Sequence, residues 1–281
     1  MKLHSIETGN FKLDGGAMFG VVPKPLWQRT NPADDRNRID MAMRCLLIED
    51  DNRLFLVDNG IGHKYNDKFA QLYAVEHDKN TLDRSLDALG YHRRDITDVI
   101  LTHLHFDHCG GSTEWHPTKE RHTVTFENAH FWVQRSHLEW ALNPNPREGA
   151  SFYDENIRPL VESSQLRLLD GPTELFPGLE LRVVNGHTEA QQLPLIDYKG
   201  RKILFAGDLF PSFGHLPLPY VMGYDVRPLV TMEERAEYLP WLVENEIILF
   251  YEHDAYHECG TVKQNDRGKY VSDQTFKLAE I

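Results

Sequence analysis

Residues 102–111 read THLHFDHCGG, which places His103, His105, Asp107 and His108 within six positions. Imidazole and carboxylate are the side chains that bind divalent metals and move protons near neutral pH. Along an extended backbone the side chains alternate, so His103 and His105 share one side and Asp107 keeps that register. A turn there lets His108 point back. The segment thus offers two imidazoles to one cation and a carboxylate–imidazole pair to a neighbouring one. This donor set suits Zn²⁺, Fe²⁺, Mn²⁺ or Co²⁺, and the lack of positioned thiolates argues against a closed structural zinc site. Gly110 and Gly111 relieve the crowding of such a bend. The competing reading, a solvated polar loop, fits poorly with the apolar run Val99-Ile100-Leu101 directly before the cluster.

Three later segments share a pattern of apolar strand, small residue, then ligand: LRVVNGHT with His187, ILFAGDLF with Asp208, and IILFYEHD with His253. Each alone reads as an ordinary hydrogen-bonded residue. Together they supply a third ligand for one metal, a carboxylate able to bridge two metals, and a third ligand for the second, provided the strand ends converge on one rim.

The elements that must hold these residues alternate in type. CLLIED (45–50) and RLFLVDNG (53–60) form a hairpin across Asp50-Asp51-Asn52. Asn80 or Thr81 caps a short helix with Leu82, Leu86 and Leu89 on one face, ended by Gly90. DVILT (98–102) is a buried strand leading into the histidine cluster. TVTFENAHFWVQ (123–134) begins with strand-like alternation, HLEWALN (137–143) is helical, and 153–164 is a second helix interrupted near Pro159. LRLLDG (166–171) and LELRVVNG (179–186) pair as strands across a Pro/Gly turn. Residues 193–210 hold two strands around Tyr198-Lys199-Gly200, 232–246 is a helix, and 247–254 is a last buried strand. Strand pairs at both ends of the chain with helices between and after them predict two stacked sheets covered by helices, as one domain. Two irregular stretches, 20–40 and 211–230, stand out as long loops of the kind that carry function.

Composition narrows the partners. The formal net charge of −13 weighs against a nucleic-acid backbone, which asks for a basic surface. No apolar stretch approaches the ~20 residues that span a bilayer, and no secretory signal is visible, so a cytoplasmic, non-membrane protein is expected. Cys45, Cys109 and Cys259 are odd in number and widely spaced, which suits a reducing compartment better than a disulfide framework. They read as structural residues.

THLHFDHCGG, followed by GHT, GD and HD, resembles the metallo-β-lactamase-fold hydrolases over roughly residues 40–255. The resemblance implies a four-layer αββα sandwich, an α/β (α+β) fold, comprising one domain over 1–281, with the loops 15–40 and 211–230 near the active site. It implies two divalent ions, zinc first among them: His103, His105 and His187 on one, Asp107, His108 and His253 on the other, with Asp208 bridging. LFLVDNG resembles the family's early strand, so Asp58 is expected to hydrogen-bond a ligand histidine. The implied mechanism is hydrolysis by a hydroxide held between the ions, with Asp107 orienting it or shuttling a proton to the leaving group.

HLHFDHCGG and GHTEAQQ resemble, within that superfamily, quorum-quenching acyl-homoserine-lactone lactonases and methyl parathion hydrolases. GGAMFGVVPKPLW (15–27) is similar to lactonases of the same branch. Met18, Phe19, Trp27 and Phe210 are expected to line an acyl pocket, or else to be core or a dimer contact. Lactonases of this group carry a tyrosine three residues after the bridging Asp; Pro211 stands there, leaving Tyr220, Tyr224 or His215 to take its place. The expected substrate is a lactone or other small ester. Phosphotriesters, aryl esters and thioesters are the alternatives, a non-catalytic metal protein is the bland one, and a homodimer is expected.

Overall fold

The computed structural model describes residues 1–281, which divide into two compact units, Met1–Phe11 with Met43–Gly171 and Lys12–Ala42 with Pro172–Ile281. The fold is mixed α/β. The sheet of the first unit has six strands in the spatial order Lys2–Asp14, Arg38–Asp50, Arg53–Val57, Asp98–Ile100, His130–Gln134 and Leu166–Leu169. Its centre is parallel: Arg53–Val57 pairs with Asp98–Ile100, and that strand with His130–Gln134. Parallel strands are covered on both faces, which is why Val99 and Ile100 are fully buried. Leu47, Leu56, Val99, Leu101, Phe131 and Ile157 belong to one apolar cluster beside this sheet.

Local sequence explains the helices of this unit. Thr81 caps Leu82–Asp87, its side chain accepting from the Arg84 amide, and Leu86 is buried. The helix Asp154–Glu162 is not interrupted at Pro159. Proline removes the N–H that would serve the Glu155 carbonyl, and the Thr113 hydroxyl donates to that carbonyl instead, at 2.8 Å. The segment Asp67–Tyr73, unassigned from its pattern, is helical and is capped by Asn66.

The second unit has a seven-stranded sheet in the order Tyr270–Phe276, Cys259–Gln264, Ile248–Phe250, Arg201–Phe205, Gln191–Tyr198, Leu179–Val184 and Thr173–Phe176. The tight turn at Lys199-Gly200 joins two antiparallel strands as its sequence implies. The helix Pro228–Glu244 buries Leu239 and Leu242 into an apolar cluster with Leu193, Leu204, Phe210 and Leu249. The expected pairing of 166–171 with 179–186 is not observed. Leu166–Leu169 runs parallel to His130–Gln134, whereas Leu179–Val184 pairs with Gln191–Tyr198 and with the short strand Thr173–Phe176. The Gly171-Pro172 step ends one unit and opens the other, and a separate strand after it provides the hairpin partner. No helix is long and apolar enough to cross a membrane.

Candidate metal centre

In the first unit the backbone leaves the strand Asp98–Ile100, reaches His105 in an extended conformation (φ −66°, ψ 151°), then makes one helical turn, Phe106–Cys109, closed by Cys109 N–H donating to the His105 carbonyl at 3.0 Å. That turn reverses the direction of His108. The glycines after it serve a purpose other than relief of the bend. A Cβ on Gly110 would stand 2.2 Å from the Ile61 carbonyl oxygen, and one on Gly111 2.3 Å from that of Asn59. They let two backbones lie against each other, joined by Gly111 N–H donating to the Gly60 carbonyl and Asn59 N–H to that of His108.

Each histidine has one ring nitrogen committed to an orienting partner, which fixes its tautomer. The Thr102 hydroxyl donates to Asp58 Oδ2 at 2.6 Å and therefore accepts from His103 Nδ1 at 3.0 Å. The lone pair of His103 is thus on Nε2. His105 is reversed: Nε2 donates to Glu148 Oε1 at 2.9 Å, leaving the lone pair on Nδ1. His103 Nε2 and His105 Nδ1 stand 3.0 Å apart. His108 donates Nδ1 to Asp58 Oδ2 at 3.1 Å, and its Nε2 lies 3.9 Å from Asp107 Oδ1. Asp58 is fully buried at φ +55°, a conformation that Asp tolerates better than most residues, and also accepts from the Thr102 amide. All four clustered residues are buried, with His103 and His108 fully so, His105 at 5% and Asp107 at 7% exposure.

The second unit repeats the logic. His187 donates Nδ1 to Asp225 Oδ1 at 2.9 Å, and His253 donates Nδ1 to the Ala42 carbonyl at 3.0 Å. Their Nε2 atoms then lie 3.1 Å from Asp208 Oδ2 and 3.2 Å from Asp208 Oδ1 respectively. One carboxylate is held between two imidazole lone pairs, one on each oxygen.

These gaps test whether metal ions fit. Between His103 and His105, between Asp208 and His187, and between Asp208 and His253, two acceptors face each other. Only a cation in the gap, a proton or a metal, makes such a contact attractive. Orienting carboxylates behind His105, His108 and His187 raise the basicity of the donors, as metal-binding imidazoles require. The donor set fits divalent ions.

The aromatic residues expected near a substrate gather in the second unit. Phe19 stacks on Trp27 (centroids 5.4 Å apart) and on His215 (4.2 Å), and meets Tyr220 edge-on at 6.3 Å. His215 donates Nε2 to the Met18 carbonyl and pairs Nδ1 with the Ser212 hydroxyl, so both ring nitrogens are engaged. Burial and then the Arg235 guanidinium push this imidazole down to about 3, which keeps it neutral. Arg235, fully buried, donates to the carbonyls of Leu209, His215 and Tyr220 and lies over the Phe210 ring. Met18, Phe19, Trp27, Phe210 and His215 are buried, Pro211 is buried, and Tyr224 is exposed.

Glu148, Asp225 and Thr102 were not found from sequence. Asp225 lies in the long loop singled out above, and Thr102 directly precedes the motif. Glu148 sits in NPNPREGA, 43 positions beyond its histidine, with no periodic signal.

Comparison with known proteins agrees with this chemistry. The model of the metallo-beta-lactamase superfamily matches residues 44–250. An N-acyl homoserine lactonase from a Bacillus species is 25% identical over 234 residues, covering 79% of this chain and 85% of that protein. A probable metallo-hydrolase of Mycobacterium tuberculosis is 27% identical over 238 residues, 73% of this chain and 72% of its own length. The crystal structure of a probable metal-dependent hydrolase from Staphylococcus aureus superposes with a TM-score of 0.87 at 29% identity, covering 98% of both chains. AidC, a dizinc quorum-quenching lactonase, shares the fold with a TM-score of 0.78 at 21% identity, over 98% of this chain and 94% of its own. With buried imidazoles oriented from behind and a carboxylate held between two of them, the chain belongs to the metallo-beta-lactamase superfamily.

Proposed function

We propose that the protein is a dinuclear metal-dependent hydrolase that opens lactones, N-acyl-homoserine lactones first among them. The observation that carries the dinuclear reading is Asp208, each of whose oxygens faces a different imidazole Nε2. In this reading His103, His105, His187 and Asp208 would hold one ion and Asp107, His108 and His253 the other, and Asp208 would serve the second as well through the oxygen that faces His253. Zinc suits the donors best. When bound, such ions lower the pKa of water toward neutrality and polarise a carbonyl.

The chain's own residues do the rest. Asp58, Glu148, Asp225 and the Ala42 carbonyl hold the rings in the tautomer and orientation that bind metal. Asp107 takes the proton of the attacking water and returns one to the departing alkoxide. The lactone preference is supported by relatives named as N-acyl homoserine lactonases and by the fold shared with AidC. Pro211, in the place of the tyrosine that such lactonases carry, favours keeping aryl esters and phosphotriesters as a second reading.

A turnover panel on zinc-loaded protein tests this: acyl-homoserine lactones of several chain lengths, a paraoxon-type triester, an aryl thioester and a β-lactam. Lactone opening should lead by at least tenfold. Equal rates across the panel, or a triester in front, would sink the lactone assignment.

A further inference from the structure

His187 and Asp208 follow different strands of the second unit, and the 3.1 Å gap between them exists only if both backbones are fixed. Turning the His187 ring through Asp225 does not by itself do that. One helix, Pro228–Glu244, grips both segments. On the His187 side, the Glu234 carboxylate accepts from the amides of Asn185 at 2.5 Å and Gly186 at 3.0 Å. Residues at the start of the helix join in. The Arg227 guanidinium donates to the Asn185 carbonyl at 2.7 Å, the Arg227 amide to that of Gly186 at 2.9 Å, and the Val226 amide to that of His187 itself at 3.1 Å. A Cβ on Gly186 would stand 2.4 Å from the Thr231 nitrogen, so the small residue before this ligand is what admits the helix.

The next residue of the same helix serves the Asp208 side. Arg235 Nε donates to the Leu209 carbonyl at 2.7 Å, and its Nη1 to the carbonyls of His215 and Tyr220 at 3.0 and 2.8 Å. Leu209 directly follows Asp208, and the Phe210 amide closes that turn onto the Ala206 carbonyl at 3.3 Å. A guanidinium presents its donors in a rigid fork, so carbonyls bound to it keep fixed separations. Burial pushes Arg235 down to about 10, while Asp225 and then Asp208 hold it up, so it stays a cation near neutral pH. Hydrogen bonds to an ionised partner are shorter and stronger than neutral ones, which makes both grips stiff. Apolar residues would pack the helix at lower electrostatic cost than a buried cation does. What the charged neighbours add is the placement of two loops relative to one axis.

We infer that Glu234 and Arg235, consecutive residues of one helix, are positioning residues that set the separation of His187 and Asp208 and with it the gap that receives a cation. The inference rests on the metal-binding reading above.

The test loads the full-length protein with Co²⁺, whose visible absorption reports the arrangement of its ligands, and measures affinity against a chromophoric chelator. Glu234→Gln turns one acceptor oxygen into an NH₂ that faces a backbone N–H. Arg235→Met removes the three hydrogen bonds to Leu209, His215 and Tyr220 and keeps the bulk. Each should shift the absorption and weaken Co²⁺ about tenfold or more. Arg235→Lys, which keeps the charge and part of the donation, should fall between Arg235→Met and the unaltered protein. Two controls separate positioning from stability. Leu239→Ala removes a buried apolar contact of the same helix; it should lower the urea midpoint and leave the spectrum of the folded protein alone. Glu237→Gln, exposed on that helix, should change neither. If Arg235→Met fails to fold, Glu234→Gln decides. An unaltered spectrum and affinity in the folded variants overturn the inference, and so does a Leu239→Ala spectrum displaced as far as theirs. Failure of the unaltered protein to take up Co²⁺ would instead undo the metal reading, and this inference with it.

Discussion

Glu148→Gln is the sharpest probe of how the imidazoles are prepared. Glu148 accepts from three donors: His105 Nε2 at 2.9 Å on one oxygen, and Trp140 Nε1 at 2.6 Å with Asn145 Nδ2 at 3.2 Å on the other. Glutamine keeps one acceptor oxygen and turns the other into an NH₂ donor. If the oxygen stays with Trp140 and Asn145, the NH₂ meets His105. The ring then relocates its proton to Nδ1, where it donates across 3.0 Å to His103 Nε2. That arrangement satisfies the His103–His105 pair with no metal and leaves neither of these two rings a free lone pair for one. The lost charge-assisted bond is worth about 1.5–3 kcal/mol, hence about a ten- to hundredfold loss of affinity for one ion of the pair. Competition against a chromophoric chelator measures this without turnover, and a thermal melt checks that the variant is folded. Trp140→Phe, which removes a donor but keeps the carboxylate, should stay within about threefold of the unaltered protein. Unchanged affinity for both ions in folded Glu148→Gln would refute the argument, whereas failure of the unaltered protein to take up metal would instead undo the dinuclear reading.

Asp208→Ala should lose at least one ion by elemental analysis together with all hydrolysis; retained turnover contradicts its bridging place. His215 gives a signed pH effect. Its folded pKa, about 3, lies below the ordinary 6.5, so the unfolded chain binds one more proton between those values. The stability tied to the neutral ring is complete above about pH 6.5 and lost as pH falls, by up to ~1.4 kcal/mol per pH unit. Urea melts from pH 7 to 4.5 should show a steeper decline in the unaltered protein than in His215→Gln, and equal slopes would contradict it. Gly110→Ala should cost about 2 kcal/mol or more in urea melts, because its Cβ meets the backbone of Ile61 rather than a movable side chain; a cost near zero would mean that the two backbones can part freely.

The site was legible because it obeys a short-range rule. The strands end at Ile100, Val184, Phe205 and Phe250, and His103, His187, Asp208 and His253 each follow three residues later. An apolar run with a ligand just beyond it is visible without long-range information. The orienting residues obey no such rule. Glu148 reaches His105 from a turn built by Asn145, and the partner of His253 is a backbone carbonyl, which no side-chain pattern encodes. The fold was legible where burial is strong. Tyr270–Phe276 is half-exposed and polar and went unrecognised, as did the long first strand, Lys2–Asp14, whose buried positions are irregularly spaced. Leu166–Leu169 was recognised but given the wrong neighbour, since pairing depends on a chain path that local alternation does not record.

One oxygen of Asp58 is shared: Oδ2 receives both the Thr102 hydroxyl that steers His103 and the ring of His108. In the proposed assignment those two histidines serve different ions. Loading should therefore be cooperative. Capture of the first cation immobilises the carboxylate on which the other compartment depends, so the second ion enters a cradle already set, and partly filled protein should be scarce at every metal concentration.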